Sequence, residues 1–247
     1  IEAFTTTGNT PQEAITICSR FHTIDQILMR MMKESDNLYA EAMYYQMAAA
    51  TDNKQATGKN AASVVNRLID KLGLRSADYR IADGSGLSLY NYVSAELEIQ
   101  MLRYAYRNAN IYLHLYPSLP VAGVDGTLKS RMKNVFTLGN VRAKTGTLAG
   151  IISLAGYCTA SNGHRLCFAI INQGLMHVGN GRAEPVGLGA RLVATGGGET
   201  DGFVDDGGRA DLEGGGSREN LVRARPCRRA YGRAMRVISH CARSPPR

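Results

Sequence analysis

Apolar residues recur at helical spacing in the first part of the chain. Thr23 and Gln26 form a capping-box pattern, and the apolar positions that follow fall on one face of a predicted helix that leads into Ser35. A second helix is predicted from Leu38 to about Ala50, because this segment holds good helix formers and no breaker. Ser35 is therefore expected at a junction between two helices.

Two further segments predict helices that serve as scaffold. Val64, Val65, Leu68, Ile69 and Leu72 repeat at helical spacing and stop at Gly73, a typical residue after a helix end. Ser94 can cap another helix, which places Leu97, Met101 and Leu102 toward the interior.

From Val141 the pattern becomes typical of β-strands. Strands are predicted over residues 141–148, 151–159 and 165–172, joined by the turn residues Ala149-Gly150 and Ser161-Asn162-Gly163. Short connections of this kind predict an antiparallel meander of three strands. Together with the helices they indicate an α+β fold.

The composition changes near Arg182. The whole chain has 247 residues, is 44% hydrophobic and carries a net charge of +8, but 11 of its 29 basic residues lie in 183–247, all of them Arg. This segment is rich in Gly and has almost no periodicity, so it cannot bury enough apolar surface to offset its ordering entropy. We expect a folded domain at 1–182 and, at 183–247, either a disordered basic tail or, the alternative we favour, a sequence translated out of frame.

Several classes of protein are disfavoured by composition. No apolar run approaches the roughly 20 residues that a membrane span needs. The five cysteines form no C-x-x-C pair and the five histidines show no ligand spacing, so a metal site is not expected. The tail has few aromatic residues, which argues against nucleic acid as a partner despite its charge.

Two short motifs could carry chemistry. Ser35-Asp36-Asn37 lies at the predicted helix junction, and Lys144-Thr145-Gly146 lies in the first predicted strand. Each is weak evidence alone, since Ser, Asp and Asn commonly cap helices and a strand Lys is commonly a solvated charge. The pair in this order, with just over a hundred residues between, is typical of penicillin-binding proteins and serine β-lactamases.

The sequence around these motifs resembles one family more closely. The blocks that carry the resemblance, over about 23–182, are ESDNLYAEA (34–42), DGSGLS (83–88), LPVAGVDGTL (119–128) and AKTGTL (143–148). They are similar to the D-alanyl-D-alanine carboxypeptidase/endopeptidase family of low-molecular-mass penicillin-binding proteins. The resemblance implies a penicillin-binding protein/serine β-lactamase-like fold, an antiparallel sheet flanked by helices, incomplete here at both ends.

The resemblance also implies roles for the first motif. Ser35 corresponds to the hydroxyl that relays a proton toward the leaving D-alanine, and Asn37 to the amide that orients the substrate carbonyl and the catalytic lysine. Asp36 is then mainly a residue that starts a helix. The DGSGLS block is expected to be a tight turn with Gly84 and Gly86 at special dihedral angles, and no chemistry is assigned to it.

The second motif is expected to bind substrate. By the same resemblance, Lys144 and Thr145 fix the terminal carboxylate of the substrate, Gly146 leaves room for it, and the backbone N–H of Thr147 is one oxyanion-hole donor. No metal or organic cofactor is implied.

One element of the family's chemistry is missing. Acylation needs a nucleophilic Ser and a Lys one helical turn later, in S-x-x-K, ahead of the first motif, but residues 1–34 contain no such pair. Ser130 and Lys133 match the pattern, yet they follow the first motif, so we interpret them as coincidence. We expect the nucleophile to lie in a preceding part of a longer protein and this chain to be inactive alone.

The expected partners follow from the family. The parent enzyme is expected to act on peptidoglycan muropeptides in the periplasm or elsewhere outside the cytoplasmic membrane, and to be acylated by β-lactams. Two alternatives remain at this point. A serine β-lactamase uses the same motifs, although its E-x-x-L-N context is absent here. A non-catalytic basic module could hold an anionic polymer through the Arg-rich tail.

Overall fold

The computed structural model describes residues 8, 12–51, 56–174, 201–204, 210–213 and 233–240. Within them the chain forms five α-helices: α1 (Ile24–Lys33), α2 (Asn37–Thr51), α3 (Gly58–Lys71), α4 (Ala95–Arg107) and α5 (Ala109–Ser118). The described strands are β1 (Arg142–Leu148), β2 (Ile151–Thr159), β3 (Arg165–Gln173), β4 (Asp201–Val204), β5 (Ala210–Glu213) and β6 (Arg233–His240).

The predicted helices form with the expected caps. At the start of α1, Thr23 and Gln26 exchange the two hydrogen bonds of a capping box. The hydroxyl of Ser94 accepts from the N–H of Leu97 and caps α4. After α3 the chain leaves the helix through Gly73, whose φ is +81°.

The three predicted strands form the antiparallel meander. β1 pairs with β2 and β2 with β3, with Lys144 opposite Ala155. The β1–β2 turn passes through Gly150 at φ +74° and the β2–β3 turn through Gly163 at φ +83°, as the turn residues indicated.

The main sheet has a fourth described strand. β6 pairs antiparallel with β3, so the strand order is β1-β2-β3-β6, while β4 and β5 form a separate two-stranded sheet. On the β3 side, β6 takes up the backbone hydrogen bonds of the sheet edge. These three strands lie within 183–247, and the rest of that segment falls outside the described residues, so its division from 1–182 stays a prediction.

The sheet has a hydrophobic core on both faces, because successive strand residues point to opposite sides. One face packs against α4 and α5 through residues such as Ile99, Tyr157 and Ile171, and the Tyr157 hydroxyl donates to the carbonyl of Leu102 at 2.6 Å. The other face holds Phe168 and packs against the loop that precedes β1. Burial on both faces explains why β2 and β3 are nearly continuously apolar.

The described helices include none with both the length and the apolar character needed to cross a bilayer. Among the same residues, no group of three or more His, Cys, Asp or Glu side chains could hold a metal ion.

Candidate active site

Ser35 lies at the junction between α1 and α2, where the chain changes direction. Its φ is +56°, in the left-handed region that costs a non-glycine residue about 1–2 kcal/mol. Asp36 follows and caps α2, since its Oδ1 accepts from the N–H of Leu38 at 3.1 Å. The carboxylate also pairs with Arg30 at 2.9 Å, and this hydrogen bond holds the pKa of Asp36 below its usual range. Through these contacts Asp36 ties the strained turn at Ser35 to both α1 and α2.

Lys144 joins the two sequence motifs. Its ammonium group donates to Ser35 Oγ at 2.6 Å and to the carbonyl of Thr145 at 2.7 Å. The side chain is partly buried, and burial lowers the pKa of Lys144. The contact places a cation directly against the Ser35 hydroxyl and brings the two sequence motifs together in one place.

Thr145 is held by Thr127, a residue that the sequence motifs did not indicate as part of the site. Its hydroxyl donates to Thr127 Oγ1 at 2.9 Å, and Thr127 lies in a short 3₁₀ turn, Gly126–Leu128, ahead of β1. The only available signal was its place within the LPVAGVDGTL block.

The remaining predicted site residues are placed as follows. Asn37 is the first residue of α2, with an exposed side chain, and Thr147 is exposed in β1 opposite Ile152. A β-carbon on Gly146 would collide with Ser153 Oγ of the neighbouring strand. Gly146 thus has a packing reason of its own, and the substrate roles of these three residues stay predictions.

The DGSGLS block packs against α2 beside the site. The carboxylate of Glu41 accepts from the N–H groups of Gly84 and Ser85 at 3.2 and 2.9 Å. Gly86 has φ +79°, as expected, but Gly84 does not have a positive φ. Gly84 is needed because a β-carbon there would lie 2.6 Å from the carbonyl oxygen of Ala40. Close approach to α2, rather than a special dihedral angle, explains this glycine.

Ser130 and Lys133 do not form a nucleophile pair of the expected kind. In S-x-x-K the two side chains share one helical face, but this segment is a series of turns, and Met132 within it has φ +54°. The geometry supports the interpretation that this match is coincidence.

The fold is similar to that of a solved penicillin-binding protein. The structure of penicillin binding protein 4 from Haemophilus influenzae, complexed with a β-lactam, aligns with a TM-score of 0.58 and 34% sequence identity, covering 63% of this chain and 36% of the other. With its helices beside an antiparallel sheet, the chain has the penicillin-binding fold, of which it covers a part.

The chain belongs to the D-Ala-D-Ala carboxypeptidase 3 (S13) family, whose model matches residues 4–189. It is 35% identical over 147 residues to D-alanyl-D-alanine carboxypeptidase DacB of Haemophilus influenzae, covering 59% of this chain and 30% of that protein. It is also 35% identical over 156 residues to a D-alanyl-D-alanine carboxypeptidase of an Actinomadura strain, covering 61% and 28%. The chain therefore spans about a third of the length of the curated relatives it matches.

Proposed function

We propose that this chain is the substrate-orienting part of a serine-type D-alanyl-D-alanine carboxypeptidase/endopeptidase. The parent protein would hydrolyse D-Ala-D-Ala peptides of peptidoglycan through an acyl-enzyme. The observation that carries the proposal is the 2.6 Å contact between Lys144 Nζ and Ser35 Oγ, which unites two motifs 109 residues apart in one site.

The contact suits Ser35 to proton transfer. Because Ser35 Oγ accepts a hydrogen bond from Lys144, its own proton is available to an acceptor on the open side of the site. A cation against the hydroxyl oxygen also lowers the cost of negative charge on that oxygen. Ser35 is therefore suited to pass a proton to the amine of a departing D-alanine, with Asn37 orienting the substrate carbonyl.

Lys144 and Thr145 supply the groups that a terminal carboxylate needs. The ammonium group offers charge-assisted hydrogen bonds, and the Thr145 hydroxyl lies next to it on the strand. We further propose that Gly146 gives the substrate access and that the N–H of Thr147 donates to the oxyanion. Losing one such donor costs about 3–4 kcal/mol in comparable enzymes.

The nucleophilic Ser and Lys would lie in another part of the parent protein. The short span of this chain relative to its relatives supports that placement. The parent protein would be located outside the cytoplasmic membrane, in the periplasm or its equivalent. The peptidoglycan on which a D-Ala-D-Ala carboxypeptidase would act lies there. β-Lactams would acylate the intact parent, and nucleic acid is not proposed as a partner.

Labelling with a fluorescent penicillin followed by denaturing electrophoresis tests the proposal. The isolated chain should give no labelled band, whereas the parent protein should label and should release D-alanine from a muropeptide that ends in D-Ala-D-Ala. In the parent, Ser35→Ala should slow acylation by about 10²-fold or more, the usual contribution of a positioned proton-transfer group.

Ser130→Ala in the parent is the matched control and should label at the rate of the unmodified protein. A labelled band from the isolated chain that disappears in its Ser130→Ala variant would show that the nucleophile lies here after all. A folded parent that neither labels nor releases D-alanine would refute the proposed function.

A further inference from the structure

A buried lysine lies just ahead of Ser35. Lys33 is the last residue of α1, and its side chain is only 10% exposed. Its ammonium group donates to the carbonyl of Leu119 at 2.6 Å and to both carboxylate oxygens of Asp125, at 2.8 and 2.7 Å. A cation removed from water in this way is stable only when it is paired and hydrogen-bonded, so the contact strongly favours one arrangement of the two segments.

Asp125 is in turn fixed within its loop. Its Oδ1 also accepts from the N–H of Val121 at 2.8 Å. The next residue, Gly126, has φ +54°, and a β-carbon there would lie 2.7 Å from the carbonyl oxygen of Lys33. The backbone of this loop thus packs closely against the end of α1, and this packing does not depend on the ion pair.

The same loop is joined to β1. The N–H of Ala143 donates to the carbonyl of Pro120 at 3.0 Å, and Thr127 accepts from the hydroxyl of Thr145 at 2.9 Å. Any shift of the loop relative to α1 would therefore be passed to the strand that carries Lys144.

These contacts form a closed ring. Lys33 lies two residues before Ser35, and Asp125 lies two residues before Thr127; Thr127 contacts Thr145, and the neighbouring Lys144 returns to Ser35 at 2.6 Å. A chain of short links of this kind has few ways to deform, because each link is a hydrogen bond or a step of one or two residues.

We propose that Lys33 and Asp125 are positioning residues, whose ion pair holds Ser35 and Lys144 at their working separation. They do not touch the reacting atoms but act through Ser35 on one side and through Thr127 and Thr145 on the other. The inference rests on the proposed function, because it assigns to the ring the geometry that proton transfer by Ser35 requires.

Titration of Lys144 in the full chain tests the ring without substrate or turnover. The chain has seven lysines, so selective ¹³Cε labelling gives seven NMR signals, and Lys144→Met assigns the one of interest. In the unmodified chain this signal should titrate below the ordinary value of a lysine side chain, because burial lowers the pKa of Lys144.

The Asp125→Asn variant separates two explanations, a loss of charge alone and a loss of the ring, because they change the pKa of Lys144 in opposite directions. Loss of an anion acting only through charge would lower the pKa of Lys144 further. Loss of the ring would instead admit water to Lys144 and raise its pKa toward the ordinary value of a lysine side chain. We expect the rise. Thr127→Val, which breaks the ring without a change of charge, should shift the pKa in the same direction.

Arg75→Met is the matched control, since it breaks an exposed ion pair with Asp78, and it should leave Lys144 unchanged. Circular dichroism and the dispersion of the NMR spectrum establish that each variant folds. If Asp125→Asn does not fold, the pKa of Lys144 in Thr127→Val becomes the test of the inference. A folded variant of either kind in which the pKa of Lys144 stays or falls would overturn the inference, whereas a parent that fails to label with penicillin would refute only the proposed function.

Discussion

Two glycines in β2 and β1 should respond very differently to the same substitution. Gly156 lies opposite Ala143, and a β-carbon there would collide with the carbonyl oxygen of Arg142 and lie 2.5 Å from Ala143 Cα. Gly146 lies opposite Ser153, and a β-carbon there would collide only with Ser153 Oγ, while Ser153 Cβ is 3.7 Å away. The methyl group of Gly156→Ala would therefore collide with backbone atoms, whereas that of Gly146→Ala would collide with a hydroxyl group that can rotate away.

The expected loss of stability in each variant depends on which atoms must move to make room for the new methyl group. Gly156→Ala forces two paired strands apart, so we expect a loss near the upper end of the usual overpacking range, about 3 kcal/mol. Gly146→Ala requires only a different Ser153 rotamer, at about 0.5–1.5 kcal/mol, and is offset by the lower entropy cost of ordering Ala, about 0.5–1 kcal/mol. Its net effect should stay within about 1 kcal/mol.

Urea unfolding of the full chain provides the measurement. The chain has 12 Tyr and no Trp, so tyrosine fluorescence and far-UV circular dichroism serve as probes. Ser153→Ala should abolish whatever cost Gly146→Ala carries, because only an ordinary contact between the two β-carbons then remains. Equal losses for Gly156→Ala and Gly146→Ala, or a Gly146→Ala loss that survives Ser153→Ala, would refute this steric reasoning.

Further predictions concern backbone strain, pH and the tail. Ser35→Ala and Ser35→Gly both lose the contact with Lys144, but the glycine variant should be more stable in urea by about 0.5–1 kcal/mol, because only Gly tolerates φ +56° without strain. Burial raises the pKa of Glu98 from 4.5 to about 7; the folded chain then keeps a proton that the unfolded chain has lost, so stability should be full below about pH 4.5 and decline as the pH rises to about 7. Glu98→Gln should flatten that decline, about 3 kcal/mol in all, when urea unfolding is compared at pH 5 and pH 8, and an unchanged slope would contradict the assignment. DNA sequencing across the codon for Arg182 should reveal a shifted frame that encodes an amphipathic C-terminal helix; if no frame does so, the out-of-frame hypothesis for 183–247 is wrong.

Local patterns predicted much of this fold. The capping box at Thr23, the helix end at Gly73 and the turns at Gly150 and Gly163 all depend on residues within a few positions of each other. Each motif also lies in the element expected for it, Ser35 at a helix junction and Lys144 in the first strand of the meander. In these places the sequence pattern and the fold agree.

Other features depend on contacts between distant segments. Helix α5 was not predicted: Asn108, the N-cap residue before it, makes no side-chain capping hydrogen bond, and Pro117 falls in its last turn. Lys33 falls outside the apolar stripe of α1, so its position indicates a solvated charge, whereas Asp125, 92 residues later, holds it in the interior. Gly84 is explained by the close approach of α2, where Tyr44 and Ala40 lie 40 and 44 residues earlier. No pattern of adjacent residues encodes such pairings.

The ring around Ser35 also bears on the order in which the chain folds. Its links join residues 92 and 109 positions apart, while the helices form from contacts within a few turns. Closing loops of this length lowers the chain's entropy before the new contacts compensate, so such links tend to form late. The site should therefore appear together with the docking of β1 rather than before it. A folding intermediate with all its helices but an undocked sheet would lack the contact between Lys144 and Ser35 altogether.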